Sequence, residues 1–105
     1  TAKAARSLRR AVELADGWMP FGLSAAEMAG MLARVDKPAG FEVVLPSGRV
    51  LDAIADPAGT AERLARLRDA GATSVTCSVG ASSAAHYCDQ LAALRRVAEG
   101  FEENA

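Results

Sequence analysis

The sequence predicts an α/β fold built from parallel βαβ units. Three observations carry this reading. Residues 73–79 alternate, with Val75, Cys77 and Val79 on one side and Ser74, Thr76 and Ser78 on the other, which is the period of a strand. Four other stretches carry apolar residues at helical spacing. The strands and helices also take turns along the chain, in the order α-β-α-β-α-β-α. Strands separated by helices of 10 to 20 residues imply right-handed crossovers and a parallel sheet.

Each element has its own signal. Leu8, Ala11, Val12 and Ala15 lie at i, i+3, i+4 and i+7, which predicts a helix over 3–15. Asp16-Gly17 ends it, with Gly17 suited to a left-handed cap. Trp18-Met19-Pro20-Phe21 is a short apolar run between two helices and reads as a strand. Ser24 and Glu27 form a capping box, and Met28, Met31, Leu32 and Val35 carry a helix over 25–35. Phe41–Leu45 is mostly apolar and rich in strand formers, as a buried parallel strand should be. Pro46-Ser47-Gly48 is expected to stop it.

Residues 49–55 read either as a short helical turn or as a loop. Asp56-Pro57 starts the next helix, with Asp as cap and Pro in the first turn. That helix runs to Ala70 and is capped by Gly71. After the 73–79 strand, Gly80 breaks the pattern and Ser82 or Ser83 caps a last helix. Its expected core stripe is Tyr87, Leu91, Leu94, Ala98 and Phe101. Residues 102–105 read as a frayed polar tail.

The totals narrow the function. A chain of 105 residues is the size of one domain, and it buries roughly 65% of its unfolded surface. With 12 basic and 13 acidic residues the net charge is -1. Neither a basic patch for nucleic acid nor an acidic tail is visible. Two cysteines are too few for a disulfide framework, which points to a reducing cytoplasm. No apolar run approaches the roughly 20 residues of a membrane span, and no signal peptide opens the chain. The start at Thr1-Ala2-Lys3, already helical in pattern, suggests a processed or truncated chain.

Three segments resemble the end of the luciferase-like monooxygenases, particularly their deazaflavin-dependent branch. The first is the helix Leu8-Arg9-Arg10-Ala11-Val12-Glu13-Leu14 running into Ala15-Asp16-Gly17-Trp18-Met19-Pro20. The second is Asp56-Pro57 with the segment from Ala61 to Ala72. The third is the strand beginning Thr73-Ser74-Val75-Thr76. The resemblance implies the C-terminal portion of a TIM (β/α)8 barrel, about three βα units, as a single partial domain over 1–105. It makes these strands the sixth, seventh and eighth, with five missing. It further implies an oxidoreductase using FMN or coenzyme F-420 on a small organic substrate, and a homo-oligomer or association with the missing barrel portion.

On that reading the chemistry sits at the C-terminal ends of the strands, with phosphate sites after the last two. Ser47, Gly48 and Arg49 form one such rim. Gly80, Ser82 and Ser83 form another, at a helix N-terminus that can receive an anion. Trp18 either walls the cofactor pocket or is a core Trp whose indole finds one acceptor. The rim serines are likewise either phosphate ligands or ordinary helix caps, and Arg49 a surface charge. Cys77, His86 and Cys88 do not have metal-ligand spacing; Cys77 reads as a small core residue and His86 as an exposed helical His. The competing function is non-enzymatic: a small α/β module that self-associates or binds a protein partner through its open sheet.

Overall fold

A computed structural model describes residues 2–103 and contains four helices and three strands among them. They are α1 (Ala2–Leu14), β1 (Gly17–Trp18), α2 (Ala25–Ala33), β2 (Glu42–Leu51), α3 (Pro57–Ala70), β3 (Ser74–Val79) and α4 (Ala84–Glu103). The three strands form one parallel sheet in the order β1-β2-β3, so the chain is α/β as expected. It divides into two compact units. One runs to Pro46 and includes Arg66–Thr76; the other comprises Ser47–Ala65 and the chain from Cys77 onward.

In the first unit the helix ends follow local chemistry. Ser24 Oγ accepts the Glu27 amide at 3.1 Å, and the Glu27 carboxylate accepts the Ser24 amide at 3.1 Å. This is the reciprocal capping box. At the other end of α3, Gly71 has φ +120°. The Gly71 amide donates to the Arg68 carbonyl and the Ala72 amide to the Leu67 carbonyl, at 3.0 and 3.1 Å. That pair of bonds is a Schellman cap, which requires a residue tolerant of positive φ.

The core of this unit gathers Leu8 from α1, Trp18 from β1, Met28 and Leu32 from α2, Val43 and Leu45 from β2, and Leu67 and Ala70 from α3. Leu8, Val43, Leu45 and Leu67 are fully buried. Val43 and Leu45 share one face of β2, so the helices cover that face. Val75 of β3 packs against the same core. On the opposite face Glu42, Ser74 and Thr76 are exposed, and Val44 and Pro46 are half-buried.

Gly17 does something other than cap a helix. Its φ is not positive. It opens β1, opposite Glu42 in the parallel register. A Cβ there would lie 2.7 Å from the Glu42 carbonyl oxygen, so close strand approach is what demands glycine. The strand is also shorter than 18–21, because Met19 and Pro20 already leave the ladder.

β2 does not stop at Pro46. It continues through Ser47, Gly48 and Arg49 to Leu51. The reason lies in the direction of its amides. Glu42 N–H points to β1 and donates to the Asp16 carbonyl, whereas Val43 N–H points the other way, to Thr73 Oγ1. Amides alternate along a strand, so position 46 faces the β1 side. β1 pairs only with Glu42 and Val43. Proline at 46 therefore removes no ladder bond.

In the second unit Gly48 takes φ +77°, with the Arg63 guanidinium where a Cβ would stand. Ser47 Oγ donates to the Arg49 carbonyl across this kink at 2.8 Å. Of residues 49–55, read as helical turn or loop, 49–51 instead continue β2, and 52–55 form a turn closed by Asp56 N–H to the Asp52 carbonyl. Asp56 caps α3 through the Gly59 amide at 2.9 Å. Ser83, rather than Ser82, caps α4: its Oγ accepts the His86 amide at 3.0 Å.

Two expectations in this unit are overturned. The buried side of α4 is Gln90 and Ala93, with Val97 half-buried, whereas Tyr87 and Leu91 of the expected core stripe are 47% and 43% exposed. A satisfied glutamine has displaced apolar residues from the buried position. Cys77 is exposed, because β3 is the outer strand of the sheet. Of the expected frayed tail, residues 102–103 continue α4 and 104–105 lie outside the described residues.

Candidate functional site

The first unit carries an open pocket of about 520 Å³ at the C-terminal end of β1. Its walls are Trp18 of β1 and Met19 and Phe21 of the β1–α2 connection, with Lys3 and Ser7 from the first two turns of α1. The geometry follows from topology. α1 runs antiparallel to β1, so its N-terminal turns return beside the strand's C-terminal end. Lys3 and Ser7 are four residues apart and share one helix face. Met19 and Phe21 are 51% and 73% exposed, while Trp18 is nearly buried and belongs to the core. The result is an apolar, aromatic wall with one cation and one hydroxyl on its rim. Of the sequence-predicted residues, Trp18 is the one found here.

The other predicted residues lie in the second unit. Ser47 is buried within β2. Its carbonyl accepts the Arg63 Nε–H at 2.7 Å, and its Oγ accepts the Ser78 amide at 3.3 Å. It ties strands together and does not stand at a strand end. Gly48 holds the kink, and Arg49 is exposed beside it. Gly80 is half-buried, in van der Waals reach of Val50. Ser82 and Ser83 are exposed but engaged: the Ser82 amide donates to His86 Nδ1 at 3.0 Å, and Ser83 Oγ holds the His86 amide. The rim is stitched to itself.

A polar network at the same end of β2 carried no signal in the sequence. Gln90 is 1% exposed. Its Oε1 accepts the buried Ala53 amide at 3.1 Å, and its Nε2 donates to Asp52 Oδ1 at 2.9 Å. These two partners fix the amide's orientation. The same Nε2 lies 3.5 Å from His86 Nε2. Both His86 ring nitrogens thus face donors, although a neutral imidazole has one acceptor. The shorter contact, from Ser82 N–H, claims the lone pair at Nδ1. His86 is half-buried and works as a capping acceptor. Ser82 Oγ, 3.2 Å away, shares that nitrogen with its own backbone amide.

Electrostatics follow the hydrogen bonds. The Ala55 amide, and after it the Gln90 side chain, hold the Asp52 carboxyl below the usual carboxylate range. Although Cys77 is exposed as a residue, partial cover of its sulfur pushes the thiol up, the opposite of an activated thiolate. Among the described residues no three His, Cys, Asp or Glu side chains converge as a metal set, and no helix is long and apolar enough to cross a membrane. No protein-family model, characterised protein or solved structure matches the chain.

Proposed function

We propose that the chain is the C-terminal part of a (β/α)8-barrel oxidoreductase of the luciferase-like kind, and that the pocket beside β1 takes part of its flavin or deazaflavin. The observation that carries this reading is the one-sided sheet of the first unit. Helices cover the Val43–Leu45 face, while the other face presents Glu42, Val44, Pro46, Ser74 and Thr76 without a helix layer. A barrel wall has this construction: helices outside and strand side chains inside. A doubly wound sheet carries helices on both faces.

The residues fit the cofactor's ring better than its phosphate. Met19 and Phe21, beside the buried Trp18, offer an apolar wall for a ring to lie against, and Lys3 offers a charge at its edge. The Ser82 amide and the Ser83 hydroxyl are already bonded within the α4 cap. The phosphate therefore falls to residues outside this pocket and this cap. A bound flavin or deazaflavin supplies the hydride chemistry. This chain's residues hold the ring, exclude water from it through Met19 and Phe21, and present Lys3 to an anionic substituent.

Titrating the full-length protein with FMN and with coenzyme F-420 tests the reading. Trp18 is the one tryptophan of this chain, so ring binding beside it is read as a saturable quenching that Trp18→Phe removes. Absence of quenching with both cofactors up to about 1 mM, weaker than -4.1 kcal/mol of binding, refutes the cofactor assignment.

A further inference from the structure

We propose that the outward face of α1 holds the oligoglutamyl tail of a deazaflavin, so that the pocket beside β1 selects coenzyme F-420 over FMN. The inference rests on the cofactor reading above and extends it from the ring to the tail. Lys3, Arg6 and Arg10 lie at i, i+3 and i+7, one stripe of α1. All three are exposed, and at about 100° per residue they stand roughly 150° around the helix from the buried Leu8. Lys3 also lines the pocket. The row therefore starts at the pocket rim and leads away from it for about 10 Å, at roughly 1.5 Å per residue.

The charge of the row selects its occupant. Among the described residues no ion pair reaches Lys3, Arg6 or Arg10. α1 carries four of the twelve basic residues and one of the thirteen acids, so it is net +3 while the rest of the chain is net -4. A long polyanion such as nucleic acid would run off α1 onto net negative surface and be repelled there. A short tail attached to a ring in the pocket needs this one helix face and no more. A chain with a carboxylate on each unit meets one cation per helical turn, and Glu13, a turn beyond Arg10, ends the row with a like charge. FMN ends in one phosphate and has nothing to lay along it. In a barrel the helices form the outer layer, so the missing strands leave this outward face open.

Exposure fixes the strength. An exposed ion pair is worth at most a few-fold in affinity and is screened by salt, so three of them give on the order of tenfold at low ionic strength. The tail thus sets preference between cofactors, while the pocket holds the ring.

Titrating the full-length protein with coenzyme F-420 carrying several glutamates, with the same deazaflavin stripped of them, and with FMN tests the proposal. Trp18 quenching is read at low salt and again at about 0.5 M salt, where the screening length falls to a few Å. The glutamylated form should bind about tenfold tighter than the stripped form at low salt, and the difference should shrink at the higher salt. Replacing both Arg6→Gln and Arg10→Gln should remove the preference. Replacing both Arg6→Lys and Arg10→Lys should keep most of it, because an exposed row of point charges suffices. The salt series on the parent protein needs no variant to fold. Equal affinity for the two deazaflavins, a preference undiminished by salt, or a double glutamine variant that keeps the preference overturns the proposal. Binding of FMN and of neither deazaflavin overturns it and leaves the flavin reading standing. Binding of none of the three removes both.

Discussion

Replacing Gln90 by leucine tests whether polar satisfaction, and not apolar burial, orients α4. Gln90 is 1% exposed and Ala53, whose amide it accepts at 3.1 Å, is 3% exposed. Leucine is close in volume and fills the site, but it leaves the Ala53 N–H without an acceptor and without access to water. An orphaned buried donor costs about 1–3 kcal/mol. The lost bond to Asp52 matters less, because that carboxylate is exposed and water replaces the amide. Against this, exchanging an amide for methyl groups gains roughly 0.8 kcal/mol per added apolar carbon. Two added apolar carbons offset part of that cost, so the net expectation is a destabilisation of about 1 kcal/mol, or a Tm lower by about 4–8 °C in a chain of this size. Urea denaturation followed by far-UV circular dichroism measures it. Gln90→Glu keeps the acceptor but sets a second carboxylate where the Nε2 stood, 2.9 Å from Asp52 Oδ1. It should be worse than leucine at pH 7 and recover on acidification, as the pair takes up a shared proton. A Gln90→Leu protein as stable as the parent would refute the reasoning, because burial alone would then account for the helix face.

Two further outcomes follow from the same geometry. Gly17→Ala drives a Cβ into the Glu42 carbonyl oxygen at 2.7 Å; the two strands must separate, so the first unit should lose about 1–3 kcal/mol, read as an earlier Trp18 fluorescence transition in urea. Stability should also decline on the acid side through Asp52 and Glu27. The Ala55 amide, then Gln90, lower the Asp52 carboxyl, and the Ser24 amide and hydroxyl lower that of Glu27. Lowered carboxyls stabilise the fold above their unfolded values near pH 4, and that contribution is lost as pH falls through the lower folded values. Asp52→Asn should flatten the decline below about pH 4 in pH-dependent thermal melts, and an unchanged slope would show that its amide bonds carry no linkage.

The elements written in local chemistry were legible from the sequence. Ser24 with Glu27, Asp56 with Pro57, and Gly71 each satisfy orphan backbone groups within a few residues, so sequence alone locates those helix ends. The 73–79 alternation located β3 for the same reason. What depended on neighbours was hidden. Whether Pro46 stops β2 depends on which side of the strand has lost its partner, a fact of pairing and not of residue type. Whether Tyr87 or Gln90 faces inward depends on an unpaired amide at Ala53, thirty-seven positions away. Apolar periodicity gives an arc of α4 but does not say which edge of the arc a distant hydrogen bond will draw in. The candidate site divides similarly. Trp18 lines the pocket, whereas Lys3 and Ser7 reach it only because α1 folds back beside β1.

Pro46 has a further consequence. Beyond Val43 the β1-facing side of β2 has no strand beside it, and open strand edges recruit strands from other molecules. An invading strand needs the outward amides of β2 in sequence, and at position 46 it meets a ring instead of a donor. The residue that costs the native ladder nothing thus interrupts every foreign ladder at its middle. Edge-to-edge contact between copies is thereby discouraged by a single ring, with no charge spent on it.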